Sequence, residues 1–67
     1  MSVAKATEIT ASSNISFEDA INKGIERAGK TLKNIKGAWV KDQQIVVESG
    51  SVIEYKTTLK ISFVLKD

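Results

Sequence analysis

The chain contains no cysteine and no histidine. Those absences remove the thiol nucleophile, the thiolate and imidazole metal ligands, and the side chain most often used as a general base near neutral pH. Serines and threonines are plentiful, but no base stands ready to activate them, so nucleophilic catalysis has no support and no enzyme is expected. Charge of one sign is also scarce. A formal net charge of +2 is too small, and the lysines too scattered, for a nucleic-acid or membrane surface. No apolar run approaches the roughly 18 residues of a membrane-spanning helix, and the N-terminus carries no signal-peptide pattern, so a cytoplasmic location is expected.

Aromatic residues are few, which makes the single tryptophan conspicuous. Trp39 stands in the middle of a long strand-like run, Ile35-Lys36-Gly37-Ala38-Trp39-Val40-Lys41-Asp42-Gln43. A large flat ring on an otherwise polar strand needs a partner, either a neighbouring subunit or a planar ligand. Binding through shape and stacking therefore replaces catalysis as the expected class of function. Length adds a second constraint. Residues 1–67 read as one domain, and a chain this short buries only about 60% of its unfolded surface. Lacking disulfides and a cysteine-based metal site, it is expected to gain stability by oligomerising.

Hydrophobic periodicity supplies the elements. Val3 to Ala11 suits a strand, and Ser12-Ser13-Asn14 reads as a polar loop. Ser16 is a helix N-cap by residue type, with Glu18 and Asp19 at the positive end and Asp19 at the capping-box position usually held by the longer Glu or Gln. Phe17, Ala20, Ile21, Gly24, Ile25, Ala28 and Leu32 recur at spacings of three and four, one apolar stripe of a helix that should end between Leu32 and Asn34. Lys23, Glu26, Arg27 and Lys30 lie off that stripe. Gly24 on the stripe predicts the close approach of another backbone, since Gly costs about 1 kcal/mol relative to Ala in a helix.

Ser49-Gly50-Ser51 is a turn between Ile45-Val46-Val47-Glu48 and Val52-Ile53, which makes a hairpin, and Gly50 is expected at positive φ. In the last strand Tyr55, Thr57, Leu59, Ile61, Phe63 and Leu65 share one face, and Lys56, Thr58, Lys60, Ser62 and Lys66 the other, with Val64 the exception. The first face must bury against the helix stripe, which makes Tyr55 and Phe63 core residues. The fold is therefore α+β: a β-α-β-β order with one amphipathic helix on a three-stranded antiparallel sheet.

That order in under 70 residues resembles the dodecins. So do the segments Ser16-Phe17-Glu18-Asp19-Ala20, Lys30-Thr31-Leu32-Lys33-Asn34-Ile35, Trp39-Val40-Lys41-Asp42-Gln43 and Tyr55-Lys56-Thr57-Thr58-Leu59-Lys60-Ile61-Ser62-Phe63, and together they cover nearly the whole chain. The resemblance implies a hollow spherical homododecamer. It also implies flavin, riboflavin or FMN, stacked between symmetry-related tryptophans and thereby stored or sequestered. At the ligand positions this chain departs from the family pattern. Gly37 stands where the stacking Trp of a Trp-X-Glu-Val pattern is usual, and Trp39 stands where the Glu is. Lys56 replaces a Gln of archaeal members, and Gln44 an Arg of some bacterial ones. The expected ligand set is accordingly Trp39, Gly37, Lys56, Gln43 and Gln44, with Trp39 leaning over the space that Gly37 leaves open. Gly37 and Trp39 are two residues apart, hence on one sheet face about 6.6 Å apart. Lys56 offers a point charge for a flavin carbonyl or a phosphate.

Two alternatives stand beside flavin. Trp39 by itself is read first as an anchor between subunits, the commoner role of such a tryptophan, and ligand stacking second. The carboxylates Glu8, Asp42, Glu48 and Glu54 are spread over different strands and read first as solvated surface, but a symmetry axis gathers copies of one carboxylate into a site for a hard cation. One branch of the family binds calcium and lacks the flavin tryptophan, so calcium is the competing cofactor.

Overall fold

The computed structural model describes residues 3–65; of the expected polar face of the last strand, Lys66 lies outside them. Strand β1 runs Val3–Ser13, helix α1 Phe17–Ala28, strand β2 Ile35–Glu48 and strand β3 Ser51–Leu65. The sheet order is β1-β3-β2, all antiparallel, so the alternating β3 is the central strand. Its odd-numbered face meets the helix. Thr57, Leu59 and Ile61 are fully or almost fully buried there. Across the ladder, Ala11, Ile9 and Thr7 of β1 sit opposite them. Ile9, Ile21, Ile25, Leu32 and Ile35 pack around the buried Ala28, Leu59 and Ile61 to complete one thin core.

The helix lies close to the sheet because its buried positions are small: Ala20, Gly24 and Ala28, four residues apart along one line. A Cβ at Gly24 would meet Ala11 Cβ at 3.0 Å and Leu59 Cδ1 at 3.3 Å. The close approach expected at Gly24 is real, but its neighbours are side chains of β1 and β3 rather than a backbone. Phe17 closes the N-terminal end of this interface edge-on to Tyr55, with ring centroids 5.2 Å apart at 75°. Tyr55 and Phe63 are both half-buried.

Ser16 caps the helix by accepting the Asp19 amide at 3.0 Å. The reciprocal half of a capping box is absent, because Asp19 is engaged elsewhere. Its carboxylate accepts the Ser13 hydroxyl at 2.6 Å and pairs with Lys23, one turn on, at 3.0 Å. Those contacts, the Ser13 hydrogen bond first, hold the Asp19 carboxyl below its ordinary value. Ser13 Oγ also accepts the amides of Ile15 and, more loosely, Ser16. β1 thus extends two residues beyond Ala11, through Ser12 and Ser13 where a polar loop was expected, and the short connection of residues 14–16 leads into the helix.

At the other end the helix stops at Ala28, earlier than the Leu32–Asn34 expected from the stripe. The Ala28 carbonyl takes both the Thr31 and Leu32 amides, at 3.1 and 2.8 Å, which tightens the chain into a turn. Leu32 keeps its place in the apolar stripe and packs on the core without being helical. Asn34 then adopts a left-handed conformation at φ 63°. It clamps the turn to β3, accepting the Val64 amide at 3.1 Å and donating through Nδ2 to the Val64 carbonyl at 3.4 Å.

A 12-residue helix is only about 18 Å long, whereas the molecule extends 52 Å. The β2–β3 hairpin therefore projects past the helix, and β2 is exposed along almost its whole length. Val40, Ile45, Val47, Val52 and Ile53 are left in solvent. The hairpin closes on a two-residue loop, Ser49 and Gly50, both at positive φ (52° and 78°), as a right-twisted hairpin requires. Among the described residues no helix is long and apolar enough to cross a membrane.

Candidate functional site

Cross-strand register decides which side chains can act together. On the sheet face away from α1, Trp39 of β2, Lys60 of β3 and Glu8 of β1 form one row, and Gly37, Ser62 and Ala6 form the next. Trp39 is 70% exposed, so its ring is a surface rather than a core residue. Lys60 Nζ lies over that ring, 5.6 Å from the centroid. Lys41 reaches across to Glu8 and holds both carboxylate oxygens at 3.1 Å. Ser62 Oγ donates to the Gly37 carbonyl at 3.2 Å.

Around Trp39 these residues enclose a shallow pocket of about 280 Å³, lined by Ala6, Gly37, Ala38, Trp39, Lys60 and Ser62. Its floor is made of small residues, and the indole and the Lys60 side chain are its large walls. Gly37 leaves space beside Trp39. A Cβ added at Gly37 would find only Ser62 Oγ, at 3.8 Å, within reach. A larger groove of about 490 Å³ runs between α1 and β1, past Ile9, Gly24 and Leu32 with Lys23 and Arg27 at its rim. It contains no aromatic ring and none of the expected ligand residues.

The rest of the expected set does not gather at Trp39. Gln44 and Lys56 are cross-strand partners on the same face, but four residues along β3 from Lys60, a separation of about 13 Å. Lys56 there pairs with Glu54 at 3.8 Å. Gln43 is on the opposite face, across from the buried Thr57. The cause is a β-bulge between Val40 and Asp42, which inserts Lys41 as an extra residue and reverses the in–out alternation of β2. Counted by twos from Trp39, Gln43 belongs with it; after the bulge, Gln44 does. The pocket in turn contains Lys60, Ser62 and Ala6, which were not in the expected set. Lys60 and Ser62 were legible as polar-face residues of the last strand, but their pairing with Trp39 and Gly37 depends on register. The carboxylates are dispersed as expected: Glu8 faces Lys41 and Glu54 faces Lys56. Among the described residues no three of them cluster within one chain.

A family model described as Dodecin matches residues 3–66. The chain belongs to the dodecin family. A curated relative, the calcium dodecin of Mycobacterium tuberculosis, is 33% identical over 66 residues, covering 98% of this chain and 93% of its own. Among solved structures, a point variant of the Thermus thermophilus dodecin superposes with a TM-score of 0.95 at 30% identity, covering all of both chains. The crystal structure of the M. tuberculosis calcium dodecin, described as calcium-chelating with a novel calcium-binding site, gives a TM-score of 0.82 at 31% identity over 96% of this chain and 91% of that one. The β-α-β-β order and the antiparallel sheet carrying one helix are thus those of the dodecin fold.

Proposed function

We propose that this dodecin binds a flavin, riboflavin or FMN, by stacking the isoalloxazine ring on Trp39, and that it stores or sequesters the flavin within a hollow homododecameric shell. The observation that carries this reading is the exposed indole beside a floor of Gly37, Ala38 and Ala6. A flat electron-rich ring next to small residues is what a planar, electron-poor heterocycle needs. A second copy of the chain across a symmetry axis supplies the other face of the sandwich. The usual stacking position is Gly37, and Trp39 compensates from the same sheet face two residues on. In this arrangement Gln44 and Lys56 serve the side chain of the flavin, with Lys56 toward a phosphate, and Gln43 has no part in the site.

Stacking on an aromatic side chain is worth about 1–3 kcal/mol per ring. Trp39→Ala is therefore expected to weaken flavin binding by roughly 5- to 150-fold while the oligomer stays intact by size-exclusion chromatography. If Trp39 is instead a subunit anchor, the outcome inverts. The variant falls apart, and the wild-type oligomer leaves added flavin unquenched.

The calcium reading rests on one observation, the 33% identity to a protein named calcium dodecin. In that case carboxylates such as Asp42 or Glu48, each single within a protomer, meet at symmetry axes to ligate the ion. A rise in melting temperature of the oligomer with calcium that EGTA reverses, in protein that does not quench flavin, would favour it over flavin.

A further inference from the structure

Lys60 is placed against Trp39 by the sheet register, at a position that the resemblance to other dodecins did not mark. We infer that Lys60 gives the Trp39 pocket a preference, among stacked flavin-like rings, for one that itself carries a negative charge over the neutral ring of riboflavin or FMN. The inference rests on the stacking reading above and adds to it the charge class of the ligand.

Three observations carry it. By register, the acid facing Lys60 is Glu8 on β1. Both oxygens of Glu8 are already held by Lys41 at 3.1 Å, so Lys60 makes no ion pair with a described residue and its Nζ rests over the indole at 5.6 Å. An exposed cation–π contact is weak, and an arriving anion offers the ammonium a stronger, charge-assisted hydrogen bond. Second, the rest of the pocket lining is uncharged, and the Ser62 hydroxyl is committed to the Gly37 carbonyl. Lys60 therefore sets the sign of the site without a competing carboxylate in the lining. Third, Lys60 stands beside the ring-binding surface, whereas Lys56 lies about 13 Å further along the strand. A charge at the end of a flexible tail belongs to Lys56; a carboxylate or deprotonated nitrogen on the ring belongs to Lys60.

The test uses the intact oligomer and the emission of the single tryptophan, titrated with lumiflavin, which is neutral, and 8-carboxylumiflavin, which is anionic at pH 7. Wild type is expected to prefer the carboxylated ring by on the order of tenfold, the effect of one charge-assisted hydrogen bond. That preference should shrink as salt is raised. Lys60→Gln should bind the two rings equally, and Lys60→Arg should keep the preference. Wild type that quenches with lumiflavin but shows no preference overturns this inference and leaves the stacking reading standing. So does a preference that survives unchanged in Lys60→Gln. Wild type quenched by neither ring overturns both. Should Lys60→Gln fail to assemble, the salt dependence of the wild-type preference decides: a preference independent of ionic strength contradicts a role for the ammonium.

Discussion

Thr57 offers the most quantitative test of the core. It sits at the centre of the sheet, opposite Ala11 on β1 and Gln43 on β2, with no exposed surface, and its hydroxyl is buried without a hydrogen-bond partner. A buried, unpartnered polar group costs about 1–3 kcal/mol in lost hydration. Valine has nearly the same shape and replaces the buried hydroxyl with a methyl. Thr57→Val is therefore expected to stabilise the fold by about 1–2 kcal/mol, with no overpacking to offset the gain. Thr57→Ser keeps the unpartnered hydroxyl and deletes the methyl, a loss of about 1 kcal/mol. Urea denaturation with an m-value of about 1 kcal/mol/M for so small a chain turns these into midpoint shifts of about +1–2 M and −1 M. Protomer concentration must be held fixed, because assembly shifts apparent stability by mass action. A valine variant no more stable than wild type would show that the Thr57 hydroxyl is satisfied in solution, and the reasoning would fail.

Other consequences follow from single contacts. Gly50→Val should destabilise the hairpin by about 1–2 kcal/mol, since Gly50 has φ 78° while nothing crowds its Cβ position, so the cost is conformational; an unchanged denaturation midpoint refutes this. Asp19, held below its ordinary value by Ser13 and Lys23, contributes stability at pH above the unfolded-state value near 3.8 that disappears as pH falls through its lower native value. Wild type should therefore exceed Asp19→Asn in melting temperature at neutral pH, with the gap closing on acidification below about pH 4; a gap constant from pH 7 to pH 2 contradicts the carboxylate's role. The isolated protomer, with one thin core and an uncovered β2, should not persist as a folded species, and light scattering that finds a folded monomer at micromolar concentration would count against that.

Much of this architecture was readable in the residues, and the limits were physical. The alternation of β3 identified its buried face because a strand repeats by two, and Leu59 and Ile61 are buried as that pattern requires. Ser16 and Gly50 were legible because a cap and a positive-φ turn are local demands on one residue. The helix end was not. Leu32 satisfies the helical stripe whether it sits in the last turn or in the turn beyond it, and the carbonyl of Ala28 chose the second. At the site, the pairing of Gly37 with Trp39 could be read from spacing. The company they keep could not. Bulges near Lys36 and Lys41 shift the register of β2 against β3, sending Gln43 to the helix side and bringing Lys60, 21 positions away in sequence, over the indole. Bulges leave little trace in a pattern of polar and apolar residues, so which of Gln43 and Gln44 shares the Trp39 face could not be read from spacing along the strand.

The central claim, that Trp39 is a flavin-stacking surface, is tested most directly by titrating the intact wild-type oligomer with FMN while following tryptophan and flavin emission together. Stacking predicts that both fall in parallel to a plateau at a fixed ratio of flavin to protomer, as the single indole and the isoalloxazine come into contact. An assembled oligomer whose tryptophan emission and whose added flavin both stay undiminished would contradict the account.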